Sequence, residues 1–136
     1  MEMSNWQGAG AICLNAEGKV LLVRQGPPDE EKKWSVPSAG LEQGESMEQT
    51  CSRECLEVTG VEVEPVKEIG VRDGLYEDGA VSFKLHYFLV KQVGGKIVVA
   101  ENDPWIAEVA WKTVEEMEKL DLAYPDEVEW VRRCLV

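Results

Sequence analysis

Residues 38–61 read SAGLEQGESMEQTCSRECLEVTGV, from Ser38 to Val61. Ser46 followed by Gln49 forms a capping box, and apolar residues from Met47 to Thr59 recur at helical spacing. Gly60 stands where a helix end calls for a left-handed residue. The stretch predicts a loop, a helix and an abrupt stop. Its charges are one-sided: Glu42, Glu45, Glu48, Glu54 and Glu57 fall within 16 residues, with Arg53 as the one base. A solvated helix usually balances such acids with lysines four residues on; this one does not.

At 100° per residue with Met47 at zero, Cys51, Cys55 and Val58 fall at roughly 40°, 80° and 20° and form the core stripe with Met47. Glu54 falls at about −20°, on that same half, and Glu57 at about −80°, one turn along. Glu54 is therefore expected to point toward the body of the protein. An unpaired carboxylate there is costly or protonates, unless a cation or an ordered polar cleft takes its charge. Two carboxylates at i and i+3 beside loop oxygens suit a hard divalent ion such as Mg²⁺ or Mn²⁺. A solvated acidic helix is the alternative reading of composition and spacing alone.

Outward from this segment, Gly8–Leu14 and Lys19–Arg24 are β-rich runs separated by Asn15-Ala16-Glu17-Gly18, which predicts a hairpin. Gln25–Lys33 is a polar loop with two prolines. After Gly60, strands are expected at Val61–Val71 and at Val81–Val90. In the second, Val81, Phe83, Leu85, Tyr87 and Leu89 alternate against Ser82, Lys84, His86 and Phe88. Short strands at Lys96–Ala100 and Val109–Trp111 precede a helix at Val114–Leu120. A last amphipathic helix spans Asp126–Leu135, with Val128, Val131 and Leu135 as its buried stripe. Strands and helices alternate irregularly, giving an α/β fold with a mixed sheet and helices on its faces.

At 136 residues the chain is expected to be one domain, with 44% hydrophobic and 29% charged residues. A net charge of −12 repels nucleic acids and anionic lipid surfaces. The longest uncharged run, Met3–Ala16, has 14 residues, against about 20 needed to span a bilayer. The charged start of a secretory signal is missing, so a cytoplasmic location is expected. Cys13, Cys51, Cys55 and Cys134 are too scattered for a disulfide scaffold and are expected to be buried small hydrophobes.

The segment resembles the signature of the Nudix (MutT-like) hydrolases. Glu45, Arg53, Glu54, Glu57, Gly60 and Val61 match it at the right separations, and Gly44 and Pro37 are also usual there. Two positions differ: Ala39 occupies the place of the first glycine, and Val58 that of the last paired glutamate. The resemblance implies a Nudix-like α/β/α sandwich with a mixed β-sheet and a loop–helix–loop signature, one domain over residues 1–136. It implies a Mg²⁺- or Mn²⁺-dependent pyrophosphohydrolase that splits a nucleoside diphosphate linked to a second moiety (NDP-X) by water attack on phosphorus. Its catalytic residues would be Glu54, Glu57, Arg53 and Glu45, with Arg53 orienting Glu45 or Glu54 through a charge-assisted fork. Glu54, Glu57 and the Ala39 carbonyl would be metal ligands. Glu101 would stand in for the ligand that Val58 lacks, and Glu101, Asp103 and Glu108 are the downstream candidates for general base.

Arg24, at a strand end, is a candidate phosphate contact, and Trp34 a candidate base-stacking ring or, equally, a packing residue. Lys32 and Lys33 read as solvated loop lysines, and His86, the lone histidine, as no catalytic site by itself. Trp105, Trp111 and Trp130 are expected in the core or at its rim. The expected partner is a small nucleotide-derived substrate, without nucleic acid or membrane, and relatives of this kind are often homodimers. Val58 keeps a second reading open, a degenerate Nudix domain that binds a nucleotide or a partner without turnover. A third, an acidic adaptor for basic proteins, rests on charge alone.

Overall fold

The structure is a computed structural model that describes residues 4–76, 81–99 and 103–135. Strands β1 (Ser4–Cys13), β2 (Val20–Gln25), β3 (Lys33–Ser35) and β4 (Ser38–Gly40) lead into helix α1 (Met47–Thr59). Two long strands follow, β5 (Val61–Tyr76) and β6 (Val81–Gly95), then β7 (Ile106–Lys112), α2 (Val114–Glu118) and α3 (Glu127–Cys134). One sheet has the order β4-β1-β6-β5, with β1 and β6 parallel, and the other the order β3-β2-β7.

The expected capping box is present, with Ser46 Oγ accepting from Gln49 N–H and Gln49 Oε1 accepting from Ser46 N–H. Gly60 closes α1 at φ 83°, and a Cβ there would lie 2.5 Å from the Lys96 carbonyl oxygen. Glycine is required for both conformation and space.

The expected hairpin does not form. The turn at Asn15–Gly18 is made, with Gly18 N–H donating to the Asn15 carbonyl, but pairing beyond it stops at a Leu14–Val20 bridge. The chain crosses instead from one sheet to the other. The cause is burial on both faces of β2: Val20, Leu21, Leu22 and Val23 are all inaccessible, so the strand is enclosed by the core and pairs with β3 and β7. Lys96–Val99 is not a strand, because the residues after Gly95 turn back to cap α1, where Val98 N–H donates to the Thr59 carbonyl. Ala100 lies outside the described residues.

Two apolar clusters occupy the two faces of these strands. Ala9, Ala11, Leu21, Phe88 and Val90 pack under α1 with Cys51, Cys55 and Val61. Ile12, Val20, Leu22, Leu85 and Tyr87 pack with Val114, Met117 and Val131 of α2 and α3. The result is the mixed-sheet α/β/α arrangement anticipated, with β6 contributing to both clusters. Cys13, Cys51 and Cys55 are buried as expected; burial pushes the thiols of Cys13 and Cys51 up to about 12 and that of Cys55 to about 11. No helix among the described residues is long and apolar enough to cross a membrane.

The stripe expected on α3 is only partly right. Val131 is buried and Val128 partly so, but Leu135 is exposed, and the first helical residue, Glu127, is fully enclosed. Its Oε1 accepts from Val36 N–H at 3.1 Å and its Oε2 from the Tyr87 hydroxyl at 2.6 Å. Tyr87 O in turn accepts from Arg72 Nε at 3.2 Å and its ring stacks on Trp130 at 5.2 Å. A carboxylate supplied only with neutral donors is satisfied but not neutralised. Burial raises Glu127 from 4.5 to about 7.

The folded state therefore holds a proton that the unfolded chain has released between those values. The stabilisation is complete below about 4.5 and is lost as the pH rises through about 7. Urea unfolding at pH 5 and pH 8 is expected to show lower stability at pH 8, by on the order of 2–3 kcal/mol from this group. In Glu127→Gln the difference should shrink by that amount; an unchanged difference would disprove the assignment.

Candidate active site

The loop before α1 is tied to it by one guanidinium. Arg53 Nε donates to Glu45 Oε2 at 2.7 Å and Nη2 to Glu45 Oε1 at 3.1 Å, a bidentate fork. Nη2 also reaches the Gly40 carbonyl at 3.4 Å, and Nη1 donates to Glu57 Oε2 at 3.2 Å. Glu45 Oε1 accepts further bonds from Thr50 Oγ1 at 2.9 Å and Glu42 N–H at 3.2 Å. Gly44 permits the preceding turn at φ 85°. With Arg53 foremost, these donors hold the Glu45 carboxyl at about 2. Glu45 is thus saturated with donors, and these bonds tie the loop to α1.

Glu54 is different. Its side chain is 16% exposed, and its nearest cation, Arg53 Nη1, is 3.6 Å away, beyond a good hydrogen bond. Burial pushes it up to about 7, Arg53 opposing and Glu57, Glu42 and Glu45 reinforcing the shift. This is the inward, under-compensated carboxylate that the helical spacing implied. Glu57, one turn on, is exposed and shares Arg53. Glu45, Glu48, Ser52 and Arg53 line an open cleft of about 600 Å³ together with the loop at Gln43 and Gly44.

Val58 is 8% exposed and belongs to the buried face of α1. The Ala39 carbonyl does not turn toward α1. Its oxygen lies against Gly8, where a Cβ would be only 2.4 Å away, while the next carbonyl, that of Gly40, faces Arg53. Adjacent carbonyls of a strand point in opposite directions, and β4 is paired to β1 in the register Ala9–Ala39. Among the described residues no three His, Cys, Asp or Glu side chains converge as a ready-made metal cage.

The other expected site residues are dispersed. Arg24 donates through Nε at 3.1 Å and Nη2 at 2.9 Å to Glu108 Oε1, so these two neutralise each other across β2 and β7. Asp103 accepts from Trp105 N–H at 2.8 Å. Glu101 lies outside the described residues. Trp34 is not a free stacking surface. At 6% exposed it is part of the α2–α3 core, with Lys112 over its ring and its backbone bonded to Asp121 and Ala123. Lys32 reaches the Pro27 carbonyl, and His86 pairs with Glu68. Trp111 and Trp130 pack against the two clusters, but Trp105 is exposed.

One aromatic surface escaped the sequence reading. The Trp6 ring is 40% exposed and lies across two glycines in register, Gly8 and Gly40, where added Cβ atoms would come within 2.4 Å and 3.0 Å of it. Phe83 is its register neighbour on β6, and the Arg72 guanidinium sits 4.0 Å over Tyr124 and 5.4 Å from Phe83. Gly40 joins the two regions, since its carbonyl meets Arg53 while its α-carbon carries Trp6. The available signal was the glycine alternation Gly8, Gly10 after Trp6, which reads only as strand until the partner strand is known.

Comparison with known proteins agrees with this geometry. A family model described as the NUDIX domain matches residues 5–134. A Mycobacterium tuberculosis protein named for the mutator MutT4 is 36% identical over 96 residues, covering 69% of this chain and 38% of its own. An RNA pyrophosphohydrolase of Pseudoalteromonas atlantica is 24% identical over 121 residues, covering 89% of this chain and 65% of its own. The chain thus spans less than two thirds of the length of these relatives. A solved NUDIX hydrolase from Nitrosomonas europaea superposes with a TM-score of 0.80 at 23% identity, covering 96% of this chain and 90% of that one. With the Arg53–Glu45 fork, the inward Glu54 and a family match over nearly its full length, the chain belongs to the NUDIX domain family.

Proposed function

We propose that the chain, as a single domain over residues 1–136 in the cytoplasm, is a pyrophosphohydrolase that cleaves the diphosphate of a nucleoside diphosphate linked to a second group. The observation that carries this reading is the inward Glu54, whose neighbouring cation, Arg53, forks onto Glu45 and stands 3.6 Å away. Glu54 and Glu57 are hard oxygen donors one turn apart and would hold Mg²⁺ or Mn²⁺. Two carboxylates suit an ion that takes its remaining oxygens from water and from the substrate's phosphates. When bound, such an ion neutralises phosphate charge and sharpens an attacking water. Arg53 and Glu45 act as positioning residues that fix the loop against α1. The Trp6 ring, joined to this site through Gly40, offers a flat face for a nucleobase. The charge of −12 disfavours a long polynucleotide, although the relatives named RNA pyrophosphohydrolases place an RNA 5′ end among the substrates to test.

The buried Val58 and the lack of a three-ligand cluster among the described residues favour a second reading, a nucleotide-binding domain without turnover. A panel of NDP-X compounds and a 5′-phosphorylated RNA, with Mg²⁺ or Mn²⁺, separates them. Hydrolysis is expected on at least one NDP-X, falling roughly 100-fold or more in Glu54→Gln. Val58→Glu should raise the rate about tenfold or more if the missing ligand limits it. Nucleotide binding by calorimetry without hydrolysis in either the native chain or Val58→Glu would establish the binding domain instead. Trp6→Ala should raise KM with little change in kcat, the signature of binding shared by ground and transition states; an unchanged KM would remove the stacking role.

A further inference from the structure

A cavity of about 440 Å³ lies between the first turn of α1 and the strands β5 and β6, and neither Glu54 nor Glu57 lines it. Its wall includes Met47, Val66 and Phe88, with Glu48, Lys67, Glu68 and His86 as the polar members. His86 is the only histidine in the chain, and its Nδ1 lies 2.6 Å from Glu68 Oε1. Against a carboxylate, Nδ1 carries the hydrogen and donates it, which leaves Nε2 of the neutral ring as an acceptor. That Nε2 is buried and has no hydrogen-bond partner among the described residues. An unsatisfied buried acceptor is costly and uncommon, and marks a place where something else completes the bond.

The volume suits a small organic molecule, and the lining sets its character. Met47, Val66 and Phe88 offer apolar contact. Glu48 and Glu68 outnumber Lys67 on a chain of charge −12, so phosphates and carboxylates are repelled. A ligand that only accepts hydrogen bonds would leave Nε2 unpaired. We propose that this cavity binds a small neutral or cationic nitrogen heterocycle, its ring among Met47, Val66 and Phe88 and its N–H donating to His86 Nε2. The cavity shares Glu48 and Pro65 with the cleft beside Arg53, but its proposed ligand touches neither Glu54 nor Glu57.

The lone histidine makes the test direct. In the full chain labelled with ¹⁵N-histidine, the free protein should show the Nδ1–H tautomer. Titration with benzimidazole should shift the His86 ring signals saturably, with a Kd on the order of 1 mM. 1-Methylbenzimidazole, which has no N–H, and benzimidazole-5-carboxylate should each bind at least about tenfold more weakly. His86→Phe, checked for folding by its amide spectrum, should lose benzimidazole binding as followed at Val66 and Phe88. An Nε2–H tautomer in the free protein, no saturable shift, equal binding of the methylated probe, or unchanged binding by His86→Phe would overturn the proposal.

Discussion

The arrangement of the acidic face depends on where one positive charge is spent. Arg53 is the only base between Ser38 and Val61, and its fork closes on Glu45, which also takes the Thr50 hydroxyl and the Glu42 amide. Two parallel bonds of the guanidinium go to Glu45, while Nη1 donates to Glu57 at 3.2 Å and stays 3.6 Å from Glu54. The loop is therefore fastened to the helix, and the neighbouring Glu54, though held inward, remains short of positive charge. That unequal division is what sets Glu54 apart from Glu45 on this face. Had the fork closed on Glu54, the inward carboxylate would be quenched and the loop unanchored.

Local features of the fold were legible because their causes are local. The capping box, the helical period from Met47 to Thr59 and the glycine stop are each set by residues within one turn of one another, and all three appear as read. Cys51, Cys55 and Val58 fell on the buried face for the same reason. The Asn15–Gly18 turn was also legible, but its consequence was not. Whether two adjacent strands pair is decided by what encloses them, and the enclosure of β2 depends on residues as distant as Val109 and Trp111.

The candidate site divides along the same line. Arg53, Glu45, Glu54 and Glu57 lie on one helix and its loop; helical spacing brought Glu54 and Glu57 together, and the resemblance to the Nudix signature added Arg53 and Glu45. Arg24 and Glu108 are 84 residues apart, and nothing in either neighbourhood announces that they neutralise each other. Glu127 reads as an ordinary acid in the first turn of a helix, yet the Val36 amide, in the link between β3 and β4, and the Tyr87 hydroxyl of β6 draw it inside. Trp6 becomes a platform only because β4 brings Gly40 alongside Gly8. Ala39 shows the limit of counting positions, since strand alternation, not alignment, decides which carbonyl faces the helix.

The outermost strand of the larger sheet carries a further consequence. β5 is 16 residues long and ends the order β4-β1-β6-β5, so one side of its backbone lacks a neighbouring strand in that sheet. Its pairing with β6 slips at Glu62/Val63, at Pro65/Lys67 and at Glu68/Gly70. A straight border of that length would be a template for any extended chain, including another copy caught half-folded. Three dislocations and a proline interrupt the border from Val61 to Gly70, and the evenly paired run is confined to Gly70–Tyr76. The exposed Val66 thus sits in the interrupted stretch, where an incoming strand would meet an apolar side chain but no continuous ladder to extend, whereas Val71 and Leu75 sit on the regular run.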